Sequence, residues 1–400
     1  MNLNFRALCL SVSIALIGSG VRAAEDATVG PFLPTEPFNW SLADIDFSLG
    51  GFAGSALSYT SQQSSPVDGY NRTQANGELR TWLRVQRTFD NGMVFGARTD
   101  LLVVHDPLSG DIYDNDTVER LFAFVQTGFG RVEAGQDDGA AYTLALTGPE
   151  IDPQVSLEAR AISLFRNPET GRDFGRFFKQ VTAVQSSSNY AKLNYLAPRL
   201  FGFQIGASFT PETVRTPLPW TGNPQNSANA QHNIWEVAAN YTGYISDVAV
   251  GVSAGYASGT ARAKASQGGD LYDWSLGAEF AYTLDETKLT VGGAYRSTNA
   301  RLLDVYDVSA HSGTDGEHFS ATVERGSWRL GAETSIAHAA GPVDYGITGY
   351  QTTIAYQFTQ AIVLTGGWQS YHYARNAGNF YNGEPEIRMN AGYIGLSYSL

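Results

Sequence analysis

Hydrophobic and polar residues alternate along most of this 400-residue chain. Between Leu289 and Arg296, for example, Leu289, Val291 and Tyr295 fall on one side of an extended backbone, and Thr290 and Arg296 fall on the other. Successive side chains of a β-strand point to opposite faces, so this period of two predicts strands with one apolar and one polar face. We expect Arg296 on the polar face.

Sixteen segments carry this pattern, and short links alternate with longer polar loops between them. Short turns on one rim and long loops on the other are typical of up-and-down membrane barrels. A soluble barrel of sixteen strands would enclose far more volume than its apolar faces could fill, so we expect the apolar face to look outward toward lipid. The sequence therefore predicts an all-β fold, a transmembrane antiparallel up-and-down β-barrel of 16 strands. The predicted strands are 45–60, 76–88, 93–104, 118–127, 131–138, 188–197, 202–210, 232–244, 248–258, 270–283, 287–298, 315–325, 327–338, 346–358, 361–373 and 386–400.

The N-terminus resembles a secretory signal. Arg6 precedes an apolar run from Ala7 to Ile17, and Val21-Arg22-Ala23 offers small residues for cleavage. We therefore expect a signal peptide over 1–23, an N-terminal lead-in segment over 24–44 and the barrel over 45–400. No later stretch approaches the roughly 18 to 20 consecutive apolar residues of a membrane helix.

Charge and cysteine content exclude several classes of function. The chain has 26 Lys and Arg and 39 Asp and Glu; without Arg6 and Arg22 the formal charge is −15. Nucleic acid is an implausible partner for such an acidic protein. The only cysteine, Cys9, lies in the predicted signal, which leaves the mature chain without a thiolate for a metal site or for catalysis. We expect no cofactor and no metal, and place the scattered His residues mainly in loops or at the rims.

The repeat breaks over 139–187, much too long a stretch for a turn. It carries the acidic residues Glu150, Asp152 and Glu158, followed by several arginines, and includes a possible short helix over 154–165. A segment of this size folded into the barrel would narrow the lumen, as loops do in barrel channels. We predict that 139–187 is an inward-folded constriction loop, the third long loop of the barrel.

Alternation assigns four arginines to the lumen face: Arg80, Arg84, Arg98 and Arg120, alongside Asp100. A row of cations facing anions across a narrow aqueous gap would set a transverse field that favours small polar solutes. The alternative is that these arginines are ordinary solvated side chains of a wet lumen.

Two segments carry a resemblance to a known family. Glu119–Phe124 and Phe129–Tyr142 resemble the stretch that leads into the third, constricting loop of the general-diffusion porins of Gram-negative outer membranes. Asn194-Tyr195 and Phe201–Phe203 resemble the strand and turn after that loop. The similarity covers essentially all of the mature chain. It implies a sixteen-stranded homotrimer whose third loop presents carboxylates to an arginine ladder on the opposite wall.

By this resemblance, Arg120 and Arg80 match ladder arginines, Glu150 and Asp152 lie near the loop carboxylates, and Lys192 lies near a further basic position that falls on Ser188. The expected basic side of the constriction is Arg80, Arg84, Arg98, Arg120 and Lys192. The expected acidic side is Glu150, Asp152 and Glu158.

These observations favour a passive channel in the outer membrane of a Gram-negative bacterium. Its partners would be outer-membrane lipid, small hydrophilic solutes and ions, and two further copies of the chain. No nucleophile, base and orienting group are placed together, which argues against an enzyme. The alternative is a substrate-specific channel, for example for carbohydrate, with an aromatic track along the lumen. The inward aromatic residues that could form such a track are Phe52, Trp82, Phe122 and Phe124.

Overall fold

A computed structural model of the protein describes residues 37–62, 72–104, 118–150, 152, 155–157, 164–165, 182–187, 189–213, 231–261, 270–299, 313–340, 345–375 and 386–400. Its strands are β1 (Phe38–Leu42), β2 (Ile45–Gln62), β3 (Thr73–Thr88), β4 (Val94–Val104), β5 (Val118–Thr127), β6 (Gly130–Gln136), β7 (Ala191–Leu196), β8 (Phe203–Glu212), β9 (Gln231–Ile245), β10 (Val248–Ala261), β11 (Leu271–Leu284), β12 (Thr287–Thr298), β13 (Gly313–Arg325), β14 (Trp328–Ala340), β15 (Tyr345–Gln357), β16 (Ile362–Arg375) and β17 (Glu386–Ser399). One helical turn, α1 (Ala140–Thr143), follows β6.

Strands β2 to β17 form a closed antiparallel barrel in chain order. Each strand pairs with its sequence neighbours, and β17 pairs with β2 from Met389↔Gln62 to Ser399↔Phe52. Closure gives each of these sixteen strands a partner on both sides, so the backbone groups of the described wall bond to one another. All sixteen predicted strands are present, each within a few residues of its expected bounds.

One strand, β1, was not predicted. It forms a hairpin with the start of β2, from Phe38↔Leu49 to Leu42↔Ile45. Since β17 covers β2 only from Phe52 onward, β1 covers the part of the β2 edge that β17 leaves bare. The segment expected as a lead-in over 24–44 therefore contains a strand, and the predicted signal over 1–23 lies outside the described residues.

The two faces of the wall have opposite character. Along β12, Leu289 and Val291 are exposed on the outer surface, whereas Thr290 and Arg296 are buried on the inner one. The same alternation holds on β8, where Phe203 and Ile205 are exposed. This confirms the expected outward apolar face and inward polar face, the arrangement of a barrel surrounded by lipid. Among the described residues, no helix combines the length and hydropathy needed to cross a membrane.

The two rims differ in the length of their links. At one rim, successive strands join through the short links that the sequence predicts, at Asp90-Asn91-Gly92, Gly128-Phe129-Gly130, Ser246-Asp247 and Asp285-Glu286. The predicted long loops at the other rim, 61–75, 105–117, 211–231, 299–314 and 374–385, lie largely outside the described residues.

Apolar residues of the insertion (139–187) pack against the inner wall in two clusters. In the first, Ala140, Leu144 and Val184 are buried against wall residues that include Leu196 and Ile234. In the second, Val155, Leu164 and Phe165 are buried against β15, β16 and β17. Burial of apolar surface at these points stabilises the described parts of the insertion inside the barrel.

Candidate functional site

Four arginines lie on the inner face of three neighbouring strands. Arg80 and Arg84 belong to β3, Arg98 to β4 and Arg120 to β5. The register places Arg84 opposite Arg98, and Asp100 opposite Arg120. We call these four residues the arginine row. The structure thus brings together four of the five basic residues expected from the sequence.

Asp100 bridges two members of the row. Its Oδ1 accepts from Nε of Arg98 at 2.7 Å, and its Oδ2 accepts from Nε of Arg120 at 2.7 Å and lies 2.5 Å from Nη2 of the same residue. The Asp100 side chain is only 2% exposed. Charge-assisted bonds of this kind are strong, and a buried carboxylate with two such partners is well compensated.

Arg80 pairs with two other carboxylates. Glu78 Oε1 lies 2.6 Å from Arg80 Nη2, and Glu119 Oε2 lies 3.4 Å from Nη1. The Arg80 side chain is nevertheless 34% exposed, compared with 21% for Arg120 and 7% for Arg98. Arg80 and Arg120 therefore meet the water of the lumen, whereas Arg98 is covered.

Trp82 lies close to the guanidinium groups of Arg84 and Arg98. Their Cζ atoms are 6.0 Å and 4.7 Å from the centre of the ring. The indole covers Gly50 of β2, where any larger side chain would overlap the ring. An aromatic face attracts cations, so Trp82 helps two like charges to face each other across β3 and β4.

Arg120 also reaches the two residues that precede the insertion: its Nη1 lies 3.5 Å from Asp138 Oδ2 and 3.9 Å from Asp137 Oδ1. The strand expected over 131–138 ends at Gln136, so Asp137 and Asp138 lie outside it. Burial raises the pKa of the Asp137 carboxyl well above its usual range, and the neighbouring Glu133 carboxylate adds to the rise while Arg120 opposes it.

Lys192, the fifth expected basic residue, is buried on β7. Its Nζ donates to the carbonyl oxygens of Asp137 and Ser187, one at each end of the insertion. In this position Lys192 ties the two ends of the insertion together.

The described positions of the insertion bond to inward side chains on successive strands of the wall. Asn240 of β9 donates to the carbonyl of Leu144 at 3.2 Å, and Gln351 of β15 donates to the carbonyl of Val155. Ser186, near the end of the insertion, donates to Asp273 of β11, which also pairs with Arg296 at 2.7 Å. Further contacts join Ala140 to Ser208, Ala141 to Glu236, Leu146 to Ser253 and Thr147 to His318.

His318 and Glu333 form a buried pair that holds the insertion at two points. Glu333 accepts from the Leu157 amide at 3.0 Å and from the Ser156 hydroxyl at 3.1 Å. His318 lies 2.8 Å from the carbonyl oxygen of Thr147. The expectation that the His residues lie mainly in loops or at the rims is wrong for His318, because it faces the insertion from the middle of β13.

Two of the expected acidic residues, Glu150 and Asp152, lie in a different part of the lumen. Glu150 is close enough to Arg329 of β14 to interact with its charge. Asp152 is fully buried, accepts from the Val155 amide at 3.1 Å and is close enough to Tyr393 of β17 to interact with its hydroxyl electrostatically. Glu158 lies outside the described residues.

Among the carboxylates that pair with the arginine row, only Asp100 was predicted from the sequence to share its face. Glu78 lies two positions from Arg80 on the same strand, so the same alternation could have shown it. Glu119 and Asp138 contact the row only through the packing of neighbouring strands and of the residues that precede the insertion.

Solved structures with a similar fold include outer membrane proteins and porins. OmpT of Vibrio cholerae with its loop L8 deleted has a TM-score of 0.55 and 12% identity, over 89% of this chain and 100% of that one. The anion-selective porin from Comamonas acidovorans has a TM-score of 0.53 and 10% identity, over 89% and 100%. A mutant of the Rh. blastica porin has a TM-score of 0.51 and 16% identity, over 88% and 100%. At such identities the likeness shows the fold alone.

Comparison with curated proteins gave no match. The sequence model of the Gram-negative porin family, in contrast, matches residues 11–400. With a closed barrel that is apolar outside and polar inside, this protein belongs to the Gram-negative porin family.

Proposed function

We propose that this porin lets small hydrophilic solutes and ions diffuse passively through a charged constriction in its lumen. Family and fold support a diffusion channel in the outer membrane. The observation that carries the proposal is the arginine row, which lies on the inner wall with Arg80 and Arg120 partly exposed.

In this mechanism the barrel supplies a polar passage and the insertion narrows it. Wall contacts such as those of Leu144 and Val155 support an inward course for the insertion. Arg80, Arg84 and Arg120 would border the open passage, while Arg98 and Lys192 would hold the wall and the base of the insertion. Glu150, Asp152 and Glu158 are proposed as acidic groups of the narrowing. Fixed charges on both sides favour solutes that replace water hydrogen bonds and disfavour apolar ones.

We expect a weak preference for cations, which follows from the formal charge of −15 without the signal. Screening limits the reach of distant charges to about 8–10 Å near physiological salt, so groups in the lumen dominate. The carboxylates beside the arginine row also favour cations.

Family and fold also favour a channel over an enzyme. Three copies are proposed to assemble into a homotrimer in outer-membrane lipid. OmpT of Vibrio cholerae has been solved in a trimer form, with a TM-score of 0.51 and 12% identity to this chain. Loop 105–117, which would contact a neighbouring subunit, lies outside the described residues.

The alternative, a substrate-specific channel, would need an aromatic track. Phe122 and Phe124 face inward but are buried, with the Arg131 guanidinium 4.0 Å from the Phe124 ring centre. Trp82 packs against Gly50 and the Arg98 guanidinium, so its ring is less accessible to a solute. These positions favour diffusion over a binding channel for sugars.

Planar-bilayer recording of the purified protein tests both readings. A diffusion channel gives a conductance that rises in proportion to salt and is not saturably blocked by any one sugar. Saturable block by one solute would favour the specific channel. A protein that inserts into the bilayer and shows no conductance would refute both.

A further inference from the structure

The arginine row looks, from its sequence alone, like a site that attracts anions. Its four guanidinium groups share the inner face of β3, β4 and β5. Carboxylates accompany them in similar number: Glu78, Asp100 and Glu119 on the same strands, and Asp137 and Asp138 immediately before the insertion.

Asp100 occupies the central position among these carboxylates. One buried side chain accepts from Arg98 and Arg120 on two different strands, so its negative charge acts on both. Asp138, at 3.5 Å, adds a second negative charge beside Arg120. The exposed edge of Arg120 is therefore a polar surface with little net charge.

Glu78 acts in the same way on Arg80. Its carboxylate is 3% exposed and lies 2.6 Å from a guanidinium that is 34% exposed. The cation thus faces the lumen while its counter-charge is held in the wall behind it. Glu119, at 3.4 Å, contributes from β5.

We propose that Asp100 and Glu78 determine the ion selectivity of the channel by neutralising the arginine row from within the wall. This inference rests on the proposed function. With both carboxylates in place, the row orients polar solutes without favouring anions. Loss of either one removes a negative charge beside Arg120 or Arg80 and makes the row more positive where these side chains meet lumen water.

Zero-current potentials in a KCl gradient test the proposal directly, using purified protein in planar bilayers. Asp100→Asn and Glu78→Gln each keep the size of the side chain and remove one negative charge. We expect either variant to raise the chloride to potassium permeability ratio at least roughly fivefold, the factor that one unit charge about 4 Å from an ion in water gives.

Two controls separate selectivity from other effects. Asp44→Asn removes the same charge from an exposed Asp–Arg pair at the rim, where Asp44 lies 3.0 Å from Arg87, and we expect it to leave the ratio unchanged. Arg98→Gln combined with Asp100→Asn removes one charge of each sign and should return the ratio to the wild-type value.

The outcomes distinguish failure of the proposed function from failure of the selectivity role. Absence of conductance in the wild type would refute the proposed function itself. A conducting wild type with an unchanged ratio in Asp100→Asn and Glu78→Gln would overturn the selectivity role, as would an equal shift in Asp44→Asn. If Asp100→Asn does not fold, Glu78→Gln alone decides between these outcomes.

Discussion

His318 Nε2 lies 2.9 Å from Glu333 Oε2, inside the barrel and out of contact with solvent. The other ring nitrogen, Nδ1, faces the carbonyl oxygen of Thr147, and Glu333 accepts from two further groups of the insertion. A single pair of side chains on β13 and β14 thus holds two separate points of the insertion against the wall. An imidazolium ring would satisfy both oxygen acceptors at once, since it donates from both nitrogens.

Replacing Glu333 by Ala should loosen the insertion and destabilise the barrel. The change leaves three buried donors without their acceptor, which costs about 1–3 kcal/mol for each unsatisfied group. Urea unfolding in lipid vesicles should show the loss, and open-channel current noise should increase.

The exposed His372–Glu386 pair, at 3.1 Å, provides the matched control. Glu386→Ala should leave the free energy of unfolding nearly unchanged, because exposed ion pairs contribute little to stability. Equal effects of the two substitutions would contradict a holding role for Glu333.

Asp137→Asn should stabilise the protein at neutral pH. The folded state raises the pKa of Asp137 above its ordinary value of 3.8, so this group contributes most stability below that pH and loses it as pH rises through the folded pKa. An amide carries no charge to bury and so avoids the loss. Urea unfolding between pH 4 and pH 8 should show the gap between variant and wild type widening with pH. A stability difference that is constant or shrinks with rising pH would contradict a raised pKa of Asp137 in the folded protein.

Gly277→Ala should displace the insertion from β11. A methyl group at Gly277 would overlap the carbonyl oxygen of Leu146, which is main chain and has no alternative rotamer. We expect an altered single-channel conductance with an intact barrel. Gly392→Ala is the control, since nothing lies within 4 Å of the added atom on β17. If both variants conduct like the wild type, the contact at Leu146 does not shape the passage.

Leu276→Arg should destabilise the barrel in lipid. Leu276 is exposed on the outer face of β11, and an arginine facing the bilayer interior costs about 2–4 kcal/mol. Leu276→Phe keeps the position apolar and should have little effect. Equal stability of the two variants in vesicle-based unfolding would contradict an outward, lipid-facing β11 surface.

The sequence determined the wall of this barrel, because strand alternation is a local property with a period of two. It predicted sixteen strands, the outward apolar face, and the inward positions of Arg80, Arg84, Arg98 and Arg120. Strand β1 was missed for a reason that is not local. Its five residues pair with β2 only because β17 leaves the start of that strand uncovered.

Tertiary structure decided how the charges are used. Asp100 meets Arg120 because the register of β4 and β5 places them opposite each other, and His318 meets Thr147 across a sequence separation of 171 residues. Periodicity assigns a face to each residue but does not assign a neighbour on another strand. The sequence therefore identified the arginines of the lumen, and only the pairing of strands and the packing of the insertion decided which carboxylates neutralise them.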